Sequence, residues 1–155
     1  MPKFERTHIV DHKAQDMYDL VADIERYPEF IPMCEALTIR ETRERGGKTL
    51  LIADMTVGYK AMRETFTSQV LLKPDELMIE AKYIDGPFKH LDNKWCFIKV
   101  EEHDGCEIDF YIDYAFKNMA LSLLMGSMFE RAFSKFTHSF EQRADEIYQL
   151  DWLSI

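Results

Sequence analysis

Cysteine is scarce in this chain, and its three copies, Cys34, Cys96 and Cys106, form an odd set with no CxxC spacing. A disulfide scaffold or a zinc ribbon is therefore not expected. Long apolar runs are missing too: no window approaches about 18 uninterrupted apolar residues, the length a spanning helix needs. The opening Met1-Pro2-Lys3-Phe4 has neither the apolar centre of a signal peptide nor the Arg-rich, acid-poor character of a transit peptide. This points to a cytoplasmic protein whose membrane contact, if any, is peripheral. Basic clustering is absent as well. The 19 Lys and Arg are scattered among 28 Asp and Glu for a net charge of -9, which leaves no footprint for phosphate neutralisation, lowers the case for nucleic-acid and ribosome partners, and makes DNA an unexpected one. HExxH, GxSxG and glycine-rich phosphate loops do not occur. Nor do internal repeats, low-complexity tracts or linkers. At 155 residues the chain fits one domain over 1–150 with a short tail at 151–155, enough to bury roughly 70% of its unfolded surface.

What is abundant is flat or soft apolar material, with 13% aromatic residues and nine methionines. Such side chains suit either an irregular core or a core that meets a pliable apolar ligand. A helical pattern from Asn118 to Leu150 gathers Leu121, Leu124, Met125, Met128, Phe129, Phe133, Phe136 and Phe140 on one face at spacings of three and four. That face needs an apolar layer to lie on.

Alternating segments supply one. Lys3–Val10 reads as a strand, with Phe4, Arg6, His8 and Val10 on one face. Asp11 is placed to cap a helix carrying Met17, Leu20, Val21 and Ile24, which Pro28 should stop near Glu25. The proline-bracketed Tyr27–Cys34 reads as a helical turn or tight loop. Strands follow at about Glu35–Arg45 and Lys48–Val57 around a Gly46-Gly47 hairpin, with Gly58-Tyr59-Lys60 as the next turn. The next inner face runs Met62, Phe66, Val70 and Leu72, interrupted by Glu64 and Ser68. After the Pro74-Asp75 turn, Leu77, Ile79, Ala81 and Tyr83 alternate, then Leu91, Asn93, Trp95 and Phe97 beyond Asp85-Gly86-Pro87. A His103-Asp104-Gly105 hairpin leads to the clearest alternation, Ile108 to Phe116, which marks a strand with one buried and one wet face. The order is strand, helix, turn, six strands, long helix. Its simplest solution is an α+β helix-grip fold, a seven-stranded curved antiparallel sheet around a long C-terminal helix, with the first strand pairing a late one.

Titratable residues do not form a site by spacing. His8, His90, His138, Glu64 and Tyr114 are the acid–base candidates, and none stands in a nucleophile–base or metal-ligand pattern. His138, two residues from Phe136 and from Phe140, reads as a flank residue. Glu101-Glu102 and Asp109 with Asp113 read as solvated carboxylates, and the cysteines as inert thiols. The apolar residues Met55, Val57, Phe66, Trp95, Phe97, Phe110, Tyr114, Met125, Phe129 and Phe133 are expected to converge between sheet and helix, as filled core or as a cavity lining. Gly126 in mid-helix costs about 1 kcal/mol relative to Ala, and reads either as close packing against the sheet or as a weak point where the helix can shift.

The segment Asp23-Ile24-Glu25-Arg26-Tyr27-Pro28-Glu29-Phe30-Ile31-Pro32-Met33-Cys34, the segment Asp85-Gly86-Pro87-Phe88-Lys89-His90-Leu91 with Trp95 and Phe97, and Ile108-Asp109-Phe110 leading to Phe116 resemble the coenzyme Q-binding family of START-like proteins. That family also includes bacterial ribosome association toxins. Where related bacterial sequences have a glycine between Leu91 and Trp95, this chain has Asp92-Asn93-Lys94. The resemblance implies a deep apolar pocket that binds or delivers ubiquinone or another isoprenoid lipid for respiration. It implies no catalysis and no cofactor, with transient contact at the inner membrane. The ten apolar residues would then line the cavity, and Tyr27, Phe30, Ile31, Met33 and Tyr59 would form its entrance and touch the bilayer during loading. Ribosome association that inhibits subunit joining, and a cyclase-type activity, are the alternatives.

Overall fold

The computed structural model describes residues 3–59, 61–101 and 105–148, with the backbone alone at Tyr59. Its elements are β1 (Lys3–Val10), α1 (Ala14–Ala22), a 3₁₀ turn (Ile24–Glu29), β2 (Cys34–Arg45), β3 (Lys48–Tyr59), β4 (Met62–Lys73), β5 (Met78–Asp85), β6 (Phe88–Val100), β7 (Gly105–Phe116) and α2 (Met119–Tyr148). The seven strands form one antiparallel sheet in the order β1-β7-β6-β5-β4-β3-β2, with β1 closing on β7 as expected for a strand followed by a helix. Register shifts at Cys34/Ala36 and Ile39/Glu41 in β2, at Thr67/Ser68 between β4 and β5, and at Phe88/His90 between β6 and β7 interrupt the ladders. Such bulges bend a sheet and increase its twist, which is how this one curves around a helix.

The helix that it grips is α2. The Asn118 side chain caps it by accepting from the Leu121 amide at 2.9 Å. Met125, Met128, Phe129, Ala132, Phe133, Thr137, Phe140 and Ala144 form its buried stripe, and each large apolar side chain removed from water contributes about 1.5–3 kcal/mol. α1 packs across β6, β7 and α2 at one end of the sheet.

Local readings need correction at several points. Asp11 does not cap α1, which begins at Ala14 with Lys13 in the cap position and no side-chain cap bond. The helix stops at Ala22, and a 3₁₀ turn that includes Pro28 takes over. Gly58 and Tyr59 are not a turn: β3 continues through both, and the Gly58 amide donates to the Met33 carbonyl at 2.9 Å. Leu124 leaves the apolar face and is 62% exposed. Gly126 is not a close-packing position, since a Cβ built there meets nothing within 4 Å. The Asp92-Asn93-Lys94 segment leaves β6 unbroken, in register with Tyr111–Asp113 of β7. The expected hairpin residues His103 and Asp104, the end of the helix at Leu150 and the tail at 151–155 lie outside the described residues.

Candidate functional site

A cavity opens where the sheet presents small side chains. Ala53 of β3 pairs with Ser68 of β4, and Val70 of β4 pairs with Ala81 of β5, so three small inward-facing residues cluster on neighbouring strands. α2 contributes Phe133, Phe136 and Phe140 to the same lining, and these rings do not reach far enough to fill the gap. The result is a cavity of about 90 Å³, with Ile24, Tyr27, Leu37, Met55, Phe66, Ile79, Leu91, Asn93, Trp95 and Ile112 completing its wall. A second void of about 10 Å³ lies towards Ile31–Cys34, bounded by Val57, Met128, Phe129 and Ala132. Met55, Phe66, Phe133 and Phe136 border both spaces and form the partition between them.

Four side chains bring polar atoms to the larger cavity, Tyr27, Asn93, Trp95 and Ser68, and the first three are already engaged. The Tyr27 hydroxyl donates to the Val21 carbonyl. Asn93 donates to the Tyr111 carbonyl at 2.8 Å and accepts from the Trp95 indole at 3.1 Å. Ser68 is 8% exposed, and its hydroxyl has no hydrogen-bond partner among the described residues. Everything else in the wall is apolar.

Of the ten residues expected to converge, Met55, Phe66, Trp95 and Phe133 line the larger cavity, and Val57 and Phe129 the smaller one. Phe97, Phe110, Tyr114 and Met125 are buried but pack as solid core and line neither. Phe97 meets Tyr18 of α1 edge-on and stacks on Trp95, while Tyr114 sits among Phe88, Phe116 and Phe133. Ala53, Ser68 and Ala81 line the space without a sequence signal that marks them as lining, Ser68 standing out only as a polar interruption of an inner face.

The expected entrance divides similarly. Ile31 and Met33 line the smaller void and Tyr27 the larger cavity, but Ile31 and Tyr27 are buried and offer a bilayer no surface. Met33 adopts φ 70°, a strained value for a residue with a Cβ, immediately before β2. Phe30 lies outside both spaces and packs on Tyr27 and Phe140. Arg143 of α2 places its guanidinium 5.1 Å from the Phe30 ring centroid and donates to Glu29 at 2.8 Å, clasping the 3₁₀ turn against the helix. The Tyr59 side chain lies outside the described residues.

The acid–base candidates sit elsewhere. His8 bonds Glu141 at 2.8 Å, His90 stands 3.4 Å from Asp113, and His138 is exposed. Neither they nor Glu64 line the cavity. Burial pushes the Tyr114 phenol up to about 12, with the Glu130 carboxylate adding to the effect, so it stays protonated at neutral pH. Burial likewise raises Tyr27, and lifts the Cys34 and Cys106 thiols to about 11. Among the described residues no group of three His, Cys, Asp or Glu is placed to hold a metal ion, and no helix is long and apolar enough to cross a membrane.

A curved sheet gripping a terminal helix, with an apolar chamber between them, defines the helix-grip class of START-like proteins. Residues 10–141 match the polyketide cyclase/dehydrase and lipid transport family, and the chain belongs to it. It is 32% identical over 148 residues to the ribosome association toxin RatA of Escherichia coli K12, covering 96% of this chain and 90% of that protein. It is 29% identical over 142 residues to the mitochondrial coenzyme Q-binding protein of Drosophila melanogaster, covering 90% of this chain and 57% of that one. The crystal structure of the Zhui aromatase/cyclase from Streptomyces sp. R1128 shares the fold at a TM-score of 0.78 and 17% identity, covering 93% of each chain.

Proposed function

We propose that this protein is a non-enzymatic carrier of an isoprenoid quinone, ubiquinone above others, which takes the lipid from the membrane into the space between sheet and α2 and thereby supports respiratory electron transport. The observation that carries the reading is a chamber between sheet and helix whose wall is apolar apart from Ser68, Asn93, Tyr27 and the Trp95 indole N–H, in a chain similar to a coenzyme Q-binding protein. A prenyl chain gains about 0.8 kcal/mol for each methylene withdrawn from water, so a carrier must offer apolar surface comparable to the bilayer it competes with.

At about 90 Å³ the chamber is smaller than the engineered apolar cavity of roughly 150 Å³ known to admit benzene. The second void adds only about 10 Å³, so loading requires the partition of Met55, Phe66, Phe133 and Phe136 to swing aside and enlarge the space, with a route past Ile31–Cys34. Methionine suits such a partition because its unbranched thioether repacks at low cost. The test is transfer of a ubiquinone from donor to acceptor vesicles. The protein should raise the transfer rate in proportion to its concentration, and a rate equal to that of buffer alone would defeat the proposal.

Ribosome association is a second reading, supported by the similarity to RatA over 96% of the chain. The net charge of -9 opposes attachment to ribosomal RNA. Sedimentation at low salt separates the two readings: migration with ribosomal subunits supports this one, and retention at the top of the gradient ends it. A cyclase-type activity has less support, because the only titratable side chain in the cavity wall, Tyr27, already donates to the Val21 carbonyl.

A further inference from the structure

The Ser68 hydroxyl has no role in holding the fold. Its inward-facing neighbours on β4, Phe66 and Val70, are apolar, as is its partner Ala53 on β3. The hydroxyl borders the open space of the chamber and meets no protein acceptor or donor, so its hydrogen bonds are left to whatever occupies that space. The neighbouring buried hydroxyl, Thr67, faces the other side of the sheet and donates to Asp54. Tyr27 donates to the Val21 carbonyl, the Trp95 indole donates to the Asn93 amide oxygen and Asn93 donates to the Tyr111 carbonyl, so among the described residues Ser68 is the one polar side chain of the wall with no protein partner.

Its position gives it direction. Phe66 belongs to the partition, and Ser68 is the next inward-facing residue along β4, on the far side from Ile31–Cys34. On the loading route proposed above, past Ile31–Cys34 and through the partition, a ligand meets Ser68 last, so the end that reaches it is the leading end.

We propose that the Ser68 hydroxyl is the polar anchor of the cavity, donating a hydrogen bond to a carbonyl oxygen of a quinone ring seated innermost, with its isoprenoid tail trailing through the partition. The anchor selects for a carbonyl-bearing ring over a plain isoprenoid and fixes which end goes in first. It rests on the carrier reading and adds the orientation and the selectivity.

Two probes of similar size test it, a ubiquinone bearing one isoprene unit and an oxygen-free isoprenoid hydrocarbon, titrated calorimetrically into wild type, Ser68→Ala and Ser68→Thr. Loss of one neutral hydrogen bond should weaken quinone binding roughly 3- to 10-fold in Ser68→Ala, leave the hydrocarbon unaffected, and be largely restored in Ser68→Thr. Infrared spectra of the carbonyl-labelled quinone should show one stretching band lowered in wild type and returned to its free position in Ser68→Ala. Equal weakening of both probes, or quinone binding and a carbonyl band unchanged by Ser68→Ala, overturns the anchor while leaving the carrier standing. A wild-type spectrum in which neither carbonyl is hydrogen-bonded overturns the anchor without any variant. If wild type binds neither probe, or the hydrocarbon alone, the carrier reading fails and the anchor falls with it.

Discussion

Replacing Ala53 with isoleucine should put three carbons into the chamber, and the sign of its effect on stability reports whether that chamber is real. Ala53 is 5% exposed and lines the larger space, in a strand position where a β-branched side chain is favoured. Core cavities cost about 24 cal/mol per Å³, so the whole 90 Å³ represents about 2 kcal/mol of forgone stability. Three buried carbons, at about 0.8 kcal/mol each, reach the same figure by a separate route. Full recovery would raise the melting temperature by roughly 4–8 °C for a chain of this size. Overpacking a filled interior instead costs about 1–3 kcal/mol, so the two cases differ in sign. Ligand-free Ala53→Ile should therefore melt above wild type in calorimetry, and its uptake of a short-tailed ubiquinone should fall at least tenfold. A melting temperature several degrees below wild type would refute the reasoning, because it would mean the side chains around Ala53 already meet.

Gly86 holds φ +142°, and a Cβ there would stand 2.6 Å from the Phe66 Cβ and 3.1 Å from its Cα, so Gly86→Ala should cost about 1–3 kcal/mol in urea unfolding and disturb the partition through Phe66. Gly126→Ala meets no neighbour and should stabilise by about 1 kcal/mol; if α2 must flex there to admit a tail, stopped-flow loading slows while the affinity at equilibrium is kept. Stability should fall with rising alkalinity. The Cys34 and Cys106 thiols have an ordinary value of 9.0 and a folded value of about 11, so above pH 9 the unfolded chain releases protons that the folded one retains. Unfolding midpoints should decline between about pH 9 and 11, and the decline should shrink in the Cys34→Ala, Cys106→Ala double variant.

The strands and the long helix were legible because each has one wet face and one buried face, which writes the period into the sequence. β7 is the clearest case, with Ile108, Phe110, Ile112, Tyr114 and Phe116 all buried and their alternates half-exposed. Tertiary contacts overrode local signals elsewhere. Glycine commonly marks a turn, but Gly58 lies inside β3 under the Glu35–Arg63 ion pair, where a Cβ would strike both side chains. Leu124 keeps the helical spacing, yet it stands near the start of α2 and is exposed there. The cavity was only half legible for a different reason. Large apolar residues announce an interior, whereas space depends on the small ones, Ala53, Ser68 and Ala81, which nothing in the periodicity singles out. Phe97 and Phe110 carry the same inward signal as Trp95, but Phe97 is closed off by Tyr18 of α1 and Phe110 packs against Trp95 and Phe136.

Native mass spectrometry of the protein, isolated without detergent from cells that make both it and their own quinones, puts the carrier reading to the most direct trial. A fraction of the protein should fly with an added mass equal to an isoprenoid quinone, and Ala53→Ile prepared in parallel should lose it. Bare protein in every preparation, remaining bare after incubation with quinone-loaded vesicles, would contradict the claim that the space between the sheet and α2 opens to hold a lipid.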